Sequence, residues 1–220
     1  MQLVCISDTH GDHERLQLPE GDVLVHAGDV TARGTGRETQ SFMAWLGSQN
    51  YTHKVCIAGN HDRFMEREPA QSAVFAEDSG VVLLNDSGCV LDDVAFWGSP
   101  ITPRFFNWSF MRDPGASIEA HWRLIPKSID VLITHGPPRG ILDEVYRSDG
   151  TIENTGCPSL LARVRDLQPS LHLFGHIHEG YGSLQRDGVS FYNISTMDER
   201  YRISNSPRVI AVPENRTGEV

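Results

Sequence analysis

The chain has 220 residues, 39% hydrophobic and 22% charged, which suits one globular domain over 1–220 with a core large enough for more than one layer of sheet. Its formal charge is −10 and it has no Lys/Arg run, which excludes extended binding of a nucleic-acid backbone through a basic patch. No apolar stretch approaches the ~20 residues of a membrane span, and Asp8, His10 and Asp12 arrive too early for the apolar segment of an export signal, so the expected compartment is the cytoplasm.

Near-continuous apolar runs predict buried strands over Leu3–Ser7 and Val23–Ala27. Thr35-Gly-Arg-Glu38 is a capping box, and the helix it opens places Phe42, Trp45 and Leu46 on one face. A strand over Lys54–Ala58 follows, then a helix over Phe64–Ala76 that Pro69 breaks or bends. Short strands are expected at Val81–Leu84, Cys89–Leu91 and Val94–Trp97, a helix at Ser117–Leu124 and a strand at Val131–Thr134. Pro158 suits a first helical position and opens a helix to Leu167. Strands over Leu171–Phe174, Tyr181–Gln185, Ser190–Ile194 and Arg208–Val212 complete the order, with a hairpin at Gln185-Arg-Asp-Gly188. Alternation of strand and helix predicts parallel strands with helical crossovers, and the hairpins predict antiparallel additions. Two mixed sheets packed face to face, with helices outside, reconcile the two. The four cysteines have no metal or redox spacing and read as free thiols.

The histidines are ten and are not scattered. Apolar runs lead successively into Asp8-Thr-His10, Asp29, Asn60-His61-Asp62, His135 and His176-Ile-His178. Ligands of open α/β sheets bind beyond the carboxyl ends of strands, so neighbouring strands would bring these groups to one edge. In extended chain, residues i and i+2 face the same side, which lets Asp8 with His10, and His176 with His178, reach into one site. Gly28, Gly59 and Gly175 precede a polar residue, where a glycine permits a sharp departure from the strand. Two aspartates, an asparagine and four histidines form an N/O donor set without thiolate. It suits divalent Mn, Fe, Zn or Co, with Mn favoured, and it is too large for one tetrahedral ion.

Asp8-x-His10, Gly28-Asp29-x4-Gly34, Gly59-Asn60-His61-Asp62, His135 and Gly175-His176-x-His178 resemble, in order, the signature blocks of the calcineurin-like metallophosphoesterases. Trp97-Gly-Ser-Pro100, Thr134-His-Gly-Pro-Pro138 and Gly175-His-Ile-His-Glu-Gly-Tyr-Gly182 are similar to its small metallophosphoesterase-domain-containing branch. The resemblance implies a four-layer αββα sandwich with a dinuclear metal site at the strand ends. It assigns Asp8, His10, Asp29 and His178 to one ion, Asp29, Asn60, His135 and His176 to the other, and a bridging role to Asp29. It makes His61 a catalytic histidine outside the ligand set and Asp62 its orienting partner. The implied reaction is hydrolysis of a small phosphodiester, such as a cyclic or linear nucleotide, by a metal-bridging hydroxide. Two cations lower the pKa of a shared water and clamp the phosphoryl oxygens, and they make an acidic protein locally positive. The alternatives are a phosphomonoesterase or nucleotide pyrophosphatase with the same centre, or a non-catalytic binding module; the complete ligand set argues against the last.

His26 and His172 lie inside strands beside the ligand-bearing ends and read either as support for the ligands or as satisfied core histidines. His53 and His121 read as surface. His13, Arg104 and Asn193 are the candidate substrate contacts. Arg104 lies in Pro100–Met111, an aromatic stretch that reads either as a substrate-facing wall or as a loop packed on the second sheet. The sequence carries no reading of oligomeric state.

Overall fold

The computed structural model describes residues 1–213; the rest of the expected 1–220 domain lies outside the described residues. In chain order the elements are β1 (Gln2–Ile6), β2 (Val23–Ala27), α1 (Gly36–Ser48), β3 (His53–Ile57), α2 (Arg63–Arg67), α3 (Pro69–Asp78), β4 (Val82–Leu84), β5 (Ser87–Leu91), β6 (Val94–Ser99), β7 (Thr102–Pro103) and β8 (Met111–Arg112). They continue with α4 (Ala116–Trp122), β9 (Val131–Thr134), β10 (Glu144–Tyr146), β11 (Ile152–Asn154), α5 (Pro158–Leu167), β12 (Leu171–Phe174), β13 (Gly182–Arg186), β14 (Val189–Asn193) and β15 (Arg208–Ala211).

A five-stranded sheet has the order β15-β1-β2-β3-β4 and a six-stranded sheet the order β13-β14-β12-β9-β6-β5. The pairs β1–β2, β2–β3 and β3–β4 are parallel, as are β6–β9, β9–β12 and β12–β14, while β15, β13 and β5 add antiparallel edges. Strand alternation sorts the side chains. Leu3, Cys5, Val23, Val25, Val55 and Ile57 of the first sheet share a buried cluster with Phe96, Val131, Ile133, Leu171 and Leu173 of the second. Burying such side chains stabilises by roughly 1.5–3 kcal/mol each. The residues between them, such as Val4, Leu24, Cys56, Leu132 and Phe174, belong to a cluster with helical Phe42, Met43, Leu46, Ile118, Trp122, Leu160 and Val164. Both faces of each sheet are thus covered, which is the expected αββα layering of sheets and helices.

The local signals act as their chemistry dictates. At the start of α1 the Thr35 hydroxyl accepts from the Glu38 N–H at 3.3 Å, and the Glu38 carboxylate accepts from the Thr35 N–H at 2.9 Å. Pro69 breaks the expected helix outright: α2 ends at Arg67 and α3 begins on the proline. A proline has no N–H for the preceding turn and disfavours helical backbone in the residue before it. The β13–β14 hairpin turns on Asp187 and Gly188, both with positive φ. The sequence missed the β7–β8 pair and the β10–β11 hairpin, whose strands are too short to show a period.

The carboxyl ends of the parallel strands meet on one rim, where the sheets are stitched together. Ser7, just past β1, bridges to Ser195, just past β14. Within each sheet the pairing continues past the strand ends: the Gly175 N–H donates to the His135 carbonyl at 2.9 Å in the second, and the Asp8 N–H to the Gly28 carbonyl at 3.0 Å in the first.

Candidate metal centre

Every candidate ligand comes from this rim, but not by the route that strand periodicity suggests. Asp8, His10, Asp29 and His176 all have left-handed backbone, with φ of 53°, 42°, 55° and 68°. The expectation that Asp8/His10 and His176/His178 share a side through extended chain is therefore corrected. The chain kinks at these four ligands, and His178 sits in a short 3-10 turn, His178–Gly180. Positive φ is disfavoured for residues with a Cβ and is found mainly where surrounding contacts enforce it.

The close approach needs glycine. A Cβ on Gly59 would collide with the Asp29 carboxylate and lie 2.7 Å from His135 Cε1. One on Gly175 would collide with Asp8 Oδ2 and the Ser7 hydroxyl.

Three overlapping groups result: Asp8, His10 and His178; His10, Asp29 and His61; Asp29, His135 and His176. Within each, the donor atoms lie within 4.8 Å of one another. Asp29 Oδ2 lies 3.4 Å from His135 Nε2 and 3.8 Å from His10 Nε2, while its Oδ1 accepts from the His61 N–H at 2.8 Å. Asp8 Oδ1 lies 3.6 Å from His178 Nε2. Asp8 Oδ2 accepts from the Ser7 and Ser195 hydroxyls at 2.6 and 2.7 Å, and the His176 N–H donates to the same carboxylate at 3.1 Å.

The imidazoles are oriented from behind. His135 Nδ1 donates to the Ala27 carbonyl at 2.9 Å, and His178 Nδ1 to the Asp198 carbonyl at 2.8 Å. Such backbone bonds fix the ring and leave Nε2 for a ligand. Around His135 Nε2 stand the carbonyl oxygen of Asn60 at 3.0 Å and Asp29 Oδ2. Three lone-pair atoms converge there, an arrangement that requires a proton or a metal cation between them. His10 Nε2 is buried with no hydrogen-bond partner among the described residues.

Charge balance points the same way. Burial alone would lower the His135 pKa, but the Asp29 carboxylate outweighs it and holds the ring at about 9. Burial likewise works against His178, and Asp8 holds it at about 9. Burial would raise Asp8 and Asp29, but His178 and His135 respectively hold them well below the ordinary carboxylate range. Burial keeps His176 neutral, at about 4, with His135 adding to the effect. The two carboxylates thus set up a negative field that draws positive charge into the site, here as protons on His135 and His178, and the donor set fits divalent cations that accept nitrogen and oxygen.

His61 stands at the margin of this cluster. Its ring meets His10 edge-on at 4.6 Å and Trp108 at 4.5 Å. Asp62 does not make the expected bond to that ring. Its buried carboxylate accepts from the N–H groups of Val30, Thr31 and Gly59 at 3.2, 2.9 and 2.7 Å, and from the Thr31 hydroxyl at 2.6 Å. It ties the loop that bears Asp29 to the loop that bears Asn60. Burial, with Asp29 adding, raises its pKa to about 6.

Two of the three candidate substrate contacts lie elsewhere. His13 is buried, with its ring 5.2 Å from Phe42 and 4.6 Å from Trp45, because a short turn, His13–Arg15, folds it onto α1. Asn193 is fully buried and braces the His176–His178 turn: its Nδ2 donates to the Ile177 carbonyl at 2.8 Å and its Oδ1 accepts from the Ser195 N–H at 3.1 Å. Arg104 is at the surface, paired with Asp113. His26 and His172 support the site from the far faces of the sheets, at 2.9 Å from the Thr9 hydroxyl and 2.8 Å from that of Thr134. His121 is not simple surface, since its Nδ1 pairs with Asp86 at 2.6 Å.

Sequence reasoning gave too little weight to Trp108 and missed Tyr201, whose ring lies 4.9 Å from His10 and 5.2 Å from His178. The aromatic content of Pro100–Met111 was the available signal for Trp108. Nothing local marks Tyr201.

A family model described as calcineurin-like phosphoesterase matches residues 1–180. Human metallophosphoesterase domain-containing protein 1 is 38% identical, over 98% of this chain and 72% of its own length. A UPF0046 protein of Caenorhabditis elegans is 34% identical, over 97% of this chain and 76% of its own. The solved structure of a Thermus thermophilus protein superposes with a TM-score of 0.61 at 14% identity, covering 96% of this chain and 99% of that one. That last likeness bears on the fold alone.

Proposed function

The chain belongs to the calcineurin-like phosphoesterase family, and from that premise we propose that it is a metal-dependent phosphodiesterase acting on a small phosphodiester, such as a cyclic or linear nucleotide. Hydrolysis of a phosphoester follows from the family; preference for a diester is our own reading. One observation carries the metal dependence: Asp29 Oδ2 lies between His10 Nε2 at 3.8 Å and His135 Nε2 at 3.4 Å. One carboxylate thus serves two sets of imidazoles.

In this reading Asp8, His10, Asp29 and His178 hold one divalent ion, Asp29, Asn60, His135 and His176 hold a second, and manganese is the favoured metal. Bound there, the ions supply Lewis acidity toward the phosphoryl oxygens and a nucleophile at neutral pH. The protein supplies the geometry. The Ala27 and Asp198 carbonyls fix the ligand rings, and the Asp62 carboxylate fixes the loops bearing Asp29 and Asn60. His61 delivers a proton or hydrogen bond from its ring nitrogen to the departing oxygen, a contribution of about 10²–10⁴-fold. Trp108 and His10 pack against that ring and limit its rotation.

The test is hydrolysis of bis(p-nitrophenyl) phosphate beside p-nitrophenyl phosphate by manganese-reconstituted protein. Faster turnover of the diester is expected. A preference for the monoester replaces this reading with a phosphomonoesterase, and turnover of neither overturns the enzymatic reading.

A further inference from the structure

We propose that Tyr201 and Trp108 are the substrate-contacting walls of this centre and select phosphoesters that carry a flat ring; the inference rests on the phosphoesterase reading above. The two rings come from separate segments, Trp108 from the stretch between β7 and β8 and Tyr201 from the loop ahead of β15. They bracket His61, with ring centroids at 4.5 Å for Trp108 and 6.4 Å for Tyr201. Tyr201 also presents its ring to His10 at 4.9 Å and 66°, and to His178 at 5.2 Å and 69°. A group attached to a phosphorus held at these histidines and leaving beside His61 would lie against the two aromatic rings.

Tyr201 is not placed as a core residue. It is 51% exposed and has a left-handed φ of 57°, an unfavourable backbone for a bulky side chain. Asp198 enforces the conformation. Its carboxylate accepts from the N–H groups of Arg200 and Arg202, both at 2.9 Å, and from the Arg202 guanidinium at 2.8 and 2.6 Å. The Asp198 carbonyl accepts from the Tyr201 N–H at 2.9 Å and also from His178 Nδ1 at 2.8 Å. A single oxygen therefore sets both the tyrosine loop and a candidate ligand ring. An exposed aromatic, strained and tied to the centre, has its open area available to a ligand. Aromatic pairs favour offset or edge-on contact, worth about 0.5–1.5 kcal/mol beyond burial, or roughly two- to twelvefold in affinity.

The test uses phenylphosphonate and cyclohexylphosphonate, which are similar in bulk and not hydrolysed. Calorimetric binding to manganese-loaded protein is measured for the unaltered chain, Tyr201→Phe and Tyr201→Ala, with metal content read in parallel. The unaltered chain should bind the phenyl compound roughly three- to tenfold more tightly. Tyr201→Phe should keep that ratio, and Tyr201→Ala should reduce it about threefold or more at unchanged metal content. Equal weakening of both phosphonates, or no change, would mean that Tyr201 is merely structural and overturns the proposal. Binding without preference for the flat ring also overturns it and leaves the hydrolase reading intact. A ratio lost only in Tyr201→Ala, in a protein that hydrolyses neither test ester, supports the ring site and overturns the hydrolase reading. Failure of both phosphonates to bind overturns the ring proposal, while the ester assay alone decides the hydrolase reading.

Discussion

The Ala27 carbonyl, at the end of β2 in the first sheet, accepts from Nδ1 of His135, which follows β9 in the second, at 2.9 Å. One sheet thereby sets the ring that the other sheet carries. The centre is a property of the seam between the sheets, and its geometry depends on how they pack. His135→Ala should therefore reduce bound metal and lower phosphoester hydrolysis by about 100-fold or more, since even groups supporting a ligand are worth 10–100-fold. Metal analysis after dialysis, beside steady-state kinetics, checks this.

Asn60 and His61 are neighbours with different expected roles. Asn60→Ala should release one class of metal selectively, because its side-chain oxygen faces His135 Nε2 at 3.0 Å. His61→Ala should keep the metal and lower kcat by about 10²–10⁴-fold, most for poor leaving groups. His61 also has a ring nitrogen within 4.8 Å of the His10 and Asp29 donors, so metal content decides the matter: loss of an ion on His61→Ala would make it a ligand.

Asp62 acts on backbone. Asp62→Ala would strand the buried N–H groups of Val30, Thr31 and Gly59, each costing about 1–3 kcal/mol when unsatisfied. A loss of about 3 kcal/mol or more in urea unfolding is expected, together with weaker metal binding as the Asp29 loop loosens. An unchanged unfolding midpoint with an altered pH profile of kcat would instead place the carboxylate on His61.

His172 should make stability depend on pH. Its Nε2 donates to the Thr134 hydroxyl, which itself donates to the Gly136 carbonyl, and its Nδ1 is buried without a partner among the described residues. Burial lowers its pKa from 6.5 to about 3. Between those values the unfolded chain binds a proton that the folded chain does not. The contribution is complete above pH ~6.5 and lost as pH falls toward ~3, at about 1.4 kcal/mol per pH unit. His172→Gln should flatten the fall by that slope, as read from urea unfolding at pH 7, 6 and 5.

The order of elements was legible because apolar runs, the Thr35–Glu38 cap and Pro69 act over a few residues. The candidate ligands were legible for a related reason: each stands just past such a run. What stayed hidden depends on distant chain. Ser195 reaches Asp8 across 187 positions, and Tyr201 meets His10 only because the loop after β14 crosses the rim. His13 misleads because nearness in sequence to Asp8 does not turn its ring toward the site, and Asn193 because a polar residue at a strand end can brace a ligand turn instead of facing a substrate. One is turned onto α1 and the other lies beneath the His176 turn. The left-handed residues were hard to read because aspartate and histidine, though they adopt positive φ more often than most residues, do so in a small minority of positions; the hydrogen bonds around them impose it here.

Those kinks set chemistry against durability. Glycine at Asp8, His10, Asp29 or His176 would relax the backbone locally while removing a donor. Selecting this chain for heat resistance alone, without assaying hydrolysis, would therefore reward changes at the positions that make it useful. Any hardened descendant should be checked there first.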